Sequence, residues 1–269
     1  MTSLDDRVYV VRYNSKEVEI YDAATLTLQR RLPVPGISPE ASGIAACSKN
    51  ICLYLSDLYN PSIHRVDLAT DVAKKWPVAK SPQGLSVNRD HNLLVACSSD
   101  KKLQEYTTDG RLVREIYLTA GSPWHAIQLS NGDYVVSHCE SPGVVSVVGV
   151  DGGLLRSCVP SSSSSSDVGP MKYARSLAVT KHGDILIADE FNNRILAINS
   201  SLTRAKLFPV PADIELQAPC ALCLDETLDR LYVGEIVGKC RVIVLNNLSS
   251  VRLIWKPEYA TELTTINNN

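Results

Sequence analysis

The 269-residue sequence lacks any long uninterrupted apolar run, and no stretch approaches the roughly 20 residues that a membrane-spanning helix needs. It also lacks the basic start of a secretion signal, because Asp5 and Asp6 stand where such signals carry Lys or Arg. The segment RVYVV, which has the composition of a β-strand, follows at once. We therefore expect no signal peptide and a cytoplasmic location, either as a whole protein or as a domain of a longer one.

A strong charge of either sign is also lacking, since 27 Lys and Arg face 29 Asp and Glu, for a net charge of -2. This balance argues against a surface that is basic overall, as nucleic-acid binding would favour, but leaves room for a local basic patch. No regular frame of cysteines is present either, and the eight cysteines stand within apolar runs. They are expected to be buried reduced thiols, with Cys47 and Cys52, which flank a short turn, as the alternative disulfide pair.

What the sequence does contain is a repeat of four short apolar runs. In the stretch 174–208 these runs are SLAV, DILIAD, RILAIN and TRAKLF, separated by KHGD, EFNN and SSL. Runs of this length, rich in Leu, Ile and Val, predict antiparallel strands joined by tight turns. Similar groups recur along the chain at intervals of about 40 to 50 residues, a period typical of β-propeller blades.

The repeats predict an all-β fold, a single six-bladed β-propeller of four-stranded antiparallel blades. Five complete blades fall at about 40–79, 82–118, 123–159, 174–210 and 219–256. The first blade, at about 7–36, shows only three strands. We expect the segment ELTTIN at 262–267 to return and complete it, so that the C-terminal strand closes the ring. The serine run 161–166 predicts a mobile surface loop between blades four and five.

Three segments within 174–199, ARSLAV, GDILIAD and NNRILAIN, resemble the NHL repeat, and PQGLSV with DGRL in the third blade matches it more loosely. As a set of six blades, the whole chain resembles the NHL propellers at the C-terminal end of animal tripartite-motif (TRIM) ubiquitin ligases. The resemblance implies a module that recruits a protein or RNA partner, while RING and B-box zinc modules upstream carry the ligase chemistry. No RING-like spacing of Cys and His occurs here, so this chain is expected to be the recognition part and not itself an enzyme.

Ionisable residues recur where the second strand of each blade ends. These residues, with one cysteine, are Arg12, Asp57, Cys97, His138, Asp189 and Glu235. One interpretation is a ring around the channel that binds a metal or substrate. The other is that the side chains bind backbone N–H groups of nearby loops, as in an Asx turn. The repeat itself places Asp at this position, which favours the structural interpretation.

Enzymes also occur among related propellers, namely six-bladed lactonases and an amidating lyase with NHL-like repeats. Their sites need several acids, or several histidines, that converge on the channel. Only Asp57, Asp189 and Glu235 converge here, and a three-histidine zinc site is not available. We therefore expect no catalytic residue, metal or other cofactor, and keep a metal-dependent hydrolase as the weaker alternative. The CxxC of Cys220 and Cys223 lies in a predicted strand, where residues three apart point to opposite faces.

The start of each first strand carries a residue that varies while its neighbours repeat: Ser42, Gln83, Trp124, Arg175 and Cys220. These positions and the loops between second and third strands are expected on one side of the propeller, which we call the top face. A Trp and an Arg on one rim make an anchor pair for a peptide or a stacked base, although Trp124 could instead pack between blades. The predicted partner-binding residues are Trp124, Arg175, Gln83, Tyr59, Lys101, Lys102, Lys172, Tyr173, Phe191 and Lys239.

Basic and aromatic side chains are thus interleaved on the top face, as RNA binding would need. Acids on or near the same face roughly cancel the charge: Asp57, Asp100, Glu140, Glu190 and Glu235. We therefore expect a monomeric propeller that binds a protein or peptide partner, with RNA as the alternative ligand and no membrane contact.

Overall fold

A computed structural model of the chain describes residues 1–12, 14–119, 121–138, 140–158, 168–236, 241–251 and 253. Nearly all regular structure in these ranges is β-strand. Two short 3₁₀ helices, Glu190–Asn192 and Leu248–Ser250, are the helical segments of the described ranges. Among the described residues, no helix has the length and apolar character needed to cross a membrane.

The strands, numbered in chain order, form six antiparallel sheets. Blade one contains β1 (Thr2–Leu4), β2 (Arg7–Val11), β3 (Glu17–Asp22) and β4 (Leu28–Pro33); blade two contains β5 (Ala41–Cys47), β6 (Cys52–Asp57), β7 (Ser62–Asp67) and β8 (Ala73–Pro77). Blade three contains β9 (Pro82–Val87), β10 (Leu93–Cys97), β11 (Lys102–Tyr106) and β12 (Leu112–Tyr117); blade four contains β13 (Pro123–Gln128), β14 (Tyr134–His138), β15 (Val144–Val148) and β16 (Leu154–Cys158). Blade five contains β17 (Ala174–Val179), β18 (Ile185–Asp189), β19 (Arg194–Ile198) and β20 (Ala205–Leu207); blade six contains β21 (Pro219–Asp225), β22 (Arg230–Glu235) and β23 (Val242–Asn246).

The first strands of the six sheets stand side by side around a central channel. Each contacts the first strand of the next blade, and β1 contacts both β5 and β21, which completes the circle. The prediction of a six-bladed β-propeller with antiparallel blades is therefore confirmed. The predicted fourth strand of blade six, VRLIWK at 251–256, falls largely outside the described residues.

The predicted completion of blade one is wrong, because its inner strand comes from the N-terminus. Strand β1 pairs with β2, with Thr2 opposite Tyr9 and Leu4 opposite Arg7. The turn between them is only two residues long, and Asp5 and Asp6 both have positive φ, 47° and 57°. Such a turn matches the twist of paired strands and tolerates Asp. The segment predicted to fill this place, 262–267, and the serine run 161–166 lie outside the described residues.

The apolar core is divided into separate clusters, one at each junction between blades. For example, Val135, Ile187 and Leu196 belong to the cluster between blades four and five. The second strands are buried on both sides, so every residue of β10, β14 and β18 is buried. This explains why the second runs of the repeat are almost continuously apolar. The core therefore surrounds the channel and does not fill it.

Side-chain hydrogen bonds and close contacts join adjacent blades near the channel. Ser56 Oγ donates to the carbonyl of Gln83 (2.8 Å), and Ser86 Oγ donates to the carbonyl of Ala126 (2.7 Å). A Cβ atom at Gly43 would lie 2.4 Å from the Gln83 carbonyl oxygen, so only glycine permits this approach. The blades are thus fixed to one another around the channel.

The described cysteines are all free thiols. Cys47 and Cys52 are directly opposite each other across the hairpin of β5 and β6, and both are buried. Burial raises the pKa of the Cys52 thiol. Both side chains therefore serve as small apolar residues of the core between blades two and three.

Candidate functional site

A β-bulge interrupts the inner strand near its start in each of blades two to six. The pairing shifts between Ala41 and Ile44 in β5, and the equivalent shift recurs in β9, β13, β17 and β21. A bulge inserts an extra residue and re-aims its side chain. Each bulge contains one of the five variable positions of the repeat, Ser42, Gln83, Trp124, Arg175 and Cys220, and all five line one opening of the channel.

This opening, the channel mouth, is a cavity of about 240 Å³ on the top face. Its lining also includes apolar groups such as Val10 and Ile44, and charged groups such as Glu235 and Arg241. Two of the bulge residues bind each other, because Ser42 Oγ donates to Gln83 Oε1 at 2.7 Å. The mouth is thus bordered by side chains that the blade pattern leaves free to vary.

Trp124 begins a row of aromatic side chains that leads out of the channel mouth. Its ring meets Tyr173 edge-on at 5.7 Å, and Tyr173 in turn lies 5.1 Å from Phe191. Phe191 ends the row in solvent, with 61% of its surface exposed. Trp124 itself is partly buried and lines the mouth, and it is absent from the core clusters between the blades.

Arg175 is held against this row from two sides. Its guanidinium carbon lies 4.7 Å from the centre of the Trp124 ring, within the range of a cation–π contact. Its Nη1 donates to Glu190 Oε2 at 2.8 Å, and the Glu190 side chain is 5% exposed. Glu190 is itself positioned by its backbone N–H, which donates to the Tyr173 carbonyl at 3.1 Å. Trp124, Tyr173, Arg175 and Glu190 therefore form one connected group, which with Phe191 we call the aromatic–arginine row.

The other predicted partner-binding residues lie apart from this row. Tyr59 is 65% exposed and donates its hydroxyl to Glu40 at 3.1 Å. Lys102 is turned towards the outer strand β12, where its Nζ lies 2.6 Å from Glu115 and 5.4 Å from the Tyr117 ring centre. Lys101 and Lys172 are exposed. Lys239 lies outside the described residues.

Three acids at the ends of second strands anchor the segment that leads into the inner strand of the same blade. Asp57 accepts from Ser38 N (2.9 Å) and Ser38 Oγ (2.7 Å). Asp189 accepts from the backbone N–H groups of Lys172 (2.9 Å) and Tyr173 (3.2 Å). Glu235 accepts from the backbone of Gln217 at 2.5 Å. Burial alone would raise the pKa of Asp57, but the hydrogen bonds from Ser38 and Asn60 outweigh it and lower that pKa.

Arginines complete two of these anchors. Arg194 Nε lies 2.7 Å from Asp189, and Arg241 Nε lies 2.5 Å from Glu235. In blade one the position belongs to Arg12, whose Nε donates to Glu19 at 2.6 Å. Of the residues at this position, only Arg12 and Glu235 reach the lining of the channel mouth. The hydrogen bonds of these acids thus serve the loops of their own blades.

In blades three and four the second strand ends at Cys97 and His138, which are buried and not acidic. His138 Nε2 lies 2.6 Å from Ser146 Oγ, while its Nδ1 has no partner among the described residues. Burial lowers the pKa of His138 and raises the pKa of Cys97 to about 12, so both are neutral near pH 7. Among the described residues, no three His, Cys, Asp or Glu side chains are close enough together to hold a metal ion.

His125, one residue beyond the bulge of blade four, was not expected to have a structural role. Its Nδ1 accepts from the backbone N–H of Leu177 (3.1 Å), and its Nε2 lies 3.2 Å from the carbonyl of Leu85. Because Nδ1 is an acceptor, the ring proton sits on Nε2 and donates to Leu85. Burial lowers the pKa of His125 to about 4. A single neutral imidazole therefore joins the inner strands of blades three, four and five.

No family model and no curated protein matches the sequence. Solved structures are similar in fold, among them the nidogen/laminin complex, at 15% identity over 90% of each chain with a TM-score of 0.70. Kuenenia stuttgartiensis hydrazine synthase is 17% identical over 93% of this chain and 77% of that chain, with a TM-score of 0.67. Virginiamycin B lyase from Staphylococcus aureus is 11% identical over 91% and 82%, with a TM-score of 0.63. At these identities the similarity shows that the chain has the propeller fold, which both a binding complex and enzymes share.

Proposed function

We propose that this protein is a non-catalytic binding scaffold of the NHL type that recruits a protein or peptide through its top face. In a longer chain it would be the substrate-recognition part of a TRIM-type ubiquitin ligase. The observation that carries the proposal is the aromatic–arginine row, which runs from the channel mouth at Trp124 to the exposed ring of Phe191. Trp, Tyr and Arg are the residue types that contribute most binding energy at protein interfaces.

The row is also held in place before any partner arrives. Arg175 is fixed by Glu190 and Trp124, and Tyr173 N donates to the buried Asp189. Side chains that are already ordered lose little conformational entropy on binding, so more of the contact energy becomes affinity. This rigidity comes from the blades, because the ring is closed and adjacent blades are joined by side-chain hydrogen bonds.

The charge pattern of the top face favours a protein partner over RNA. Several of its cations are paired with acids at 2.5–2.7 Å: Arg12 with Glu19, Lys102 with Glu115, Arg194 with Asp189, and Arg241 with Glu235. A cation that already neutralises a carboxylate gains less from a phosphate. RNA binding derives much of its affinity from such phosphate contacts, so these paired cations contribute little to it.

A displayed library of random linear peptides tests the proposal. The wild-type protein is expected to enrich specific sequences, and the double variant Trp124→Ala with Arg175→Ala should not bind them. The matched control, Lys49→Gln with Lys181→Gln, removes two exposed cations from turns between first and second strands and should retain binding. Both variants should melt within a few degrees of the wild type.

Two results would contradict the proposal. Equal peptide binding by the Trp124 and Arg175 variant would show that the row is not the docking surface. A large loss of thermal stability in that variant would instead identify Trp124 as a packing residue. A pool of random single-stranded RNA serves as the competing probe, since RNA binding that weakens steeply between about 50 and 200 mM salt would favour the RNA alternative.

A further inference from the structure

We propose that Arg175 is the receptor for a carboxylate of the bound peptide, which enters the channel mouth and lies beside Trp124. This inference rests on the proposed peptide-binding function and specifies the chemistry of the ligand. Arg175 is a bulge residue of β17, so its side chain is directed to the mouth and not into the sheet. It is the bulge residue that carries a formal charge, because the other four are Ser42, Gln83, Trp124 and Cys220.

The hydrogen-bonding capacity of Arg175 is only partly used. A guanidinium has five N–H donors in a planar fork, and one of them, on Nη1, donates to Glu190 among the described residues. The side chain retains 24% of its exposure and borders the cavity. The remaining N–H groups can donate to both oxygens of a carboxylate in the two-pronged geometry of arginine–carboxylate pairs.

The surroundings of Arg175 favour a carboxylate over a phosphate. Glu190 lies 2.8 Å away, so a ligand with two negative charges would be repelled more strongly than one with a single charge. The two other arginines of the described lining, Arg12 and Arg241, are already paired with Glu19 and Glu235, so neither is free to offset a second charge. The Trp124 ring, 4.7 Å from the guanidinium carbon, keeps the fork in one orientation and offers apolar surface to the stem of an acidic side chain.

The carboxylate can come from an Asp or Glu side chain or from the C-terminus of the peptide. A panel of synthetic peptides, built on a sequence selected by the wild-type protein, separates these sources. One member carries the acid with an amidated C-terminus, one replaces the acid by its amide, and one keeps a free C-terminus as its sole carboxylate. Affinity of each peptide is measured by fluorescence anisotropy for the wild type, Arg175→Gln, Arg175→Lys and the control Lys181→Gln, an exposed cation of the turn between β17 and β18.

The wild type should bind the carboxylate peptide about 10- to 100-fold more tightly than the amide, the range expected for a charged hydrogen bond. This preference should vanish in Arg175→Gln, shrink in Arg175→Lys, which keeps the charge but not the fork, and persist in Lys181→Gln. The preference should also persist in high salt if the contact is a short hydrogen-bonded pair.

The outcomes separate this inference from the proposed function. If selected peptides bind the aromatic–arginine row but show no preference for carboxylate over amide, the inference is overturned and the binding function stands. The inference is likewise overturned, and the binding function stands, if Arg175→Gln keeps the wild-type melting temperature and still binds the carboxylate peptide more tightly than the amide. If no peptide is selected at all, the proposed function and the inference fall together.

Discussion

The imidazole of His125 should make the stability of the propeller depend on pH in a defined window. Burial lowers its pKa to about 4 in the folded protein, whereas an unfolded histidine has a pKa of about 6.5. Below pH 6.5 the ring is therefore protonated in the unfolded state, whereas in the folded state it stays neutral down to about pH 4. The free energy of unfolding thus decreases as the pH falls from about 6.5 towards 4. Protonation would also destroy the acceptor at Nδ1 that receives the N–H of Leu177.

The size of the effect follows from these two pKa values. Between pH 7.5 and pH 5, a shift from about 6.5 to about 4 costs about 2 kcal/mol of unfolding free energy. The substitution His125→Gln supplies an amide with an acceptor oxygen and a donor NH2 group but no titratable group. In urea denaturation, the wild type should therefore lose about 2 kcal/mol more than His125→Gln over this pH range.

The comparison depends on the difference in pH response and not on the absolute stability of the variant. Burial also lowers the pKa of His64 and His138, but both remain in the variant and their contributions cancel. Equal pH responses of the two proteins would refute the assignment of His125 as a neutral link between blades. An NMR titration of the His125 ring that gave a pKa near 6.5 would refute it as well.

Two further substitutions test the packing of the blades and the role of the acids. Gly43→Ala should destabilise the fold by about 1–3 kcal/mol in urea denaturation, because its Cβ would lie 2.4 Å from a backbone oxygen of the next blade. An unchanged urea midpoint would show that the inner strands of blades two and three can move apart at no cost in stability. Asp189→Asn should cost about 3–5 kcal/mol by leaving the Arg194 charge unbalanced. It should also weaken peptide binding by releasing Tyr173, and intact stability would contradict the anchoring role.

Repetition made much of the fold predictable. The second strands are buried on both sides, so their apolar runs stand out, as ILIAD of β18 does. The variable positions of the repeat could also be found, because a bulge residue is free of the blade pattern. This freedom predicts Trp124 and Arg175 on one rim, and in the structure their side chains are in contact.

What could not be predicted depended on neighbours distant in the chain or on short polar strands. Strand β1 is three residues long and polar apart from Leu4, so it has no apolar signature. The role of His125 requires knowing that Leu85 and Leu177 flank it on adjacent inner strands. The direction of Lys102 was set by Glu115 on the outer strand, a partner that the loop pattern did not indicate.

The short strand β1 has a consequence for how the protein reaches its folded state. It contacts β21, and Ser3 Oγ lies 3.5 Å from Cys223 Sγ, so the first and last blades meet across 220 residues of sequence. Bringing such distant segments together costs loop entropy before the contact returns any energy, and proteins rich in such contacts fold slowly. The described strands form hydrogen-bonded pairs only within their own blade. The five other junctions therefore join blades that follow one another in the sequence. We therefore expect ring closure at β1 to be slower than formation of the other junctions.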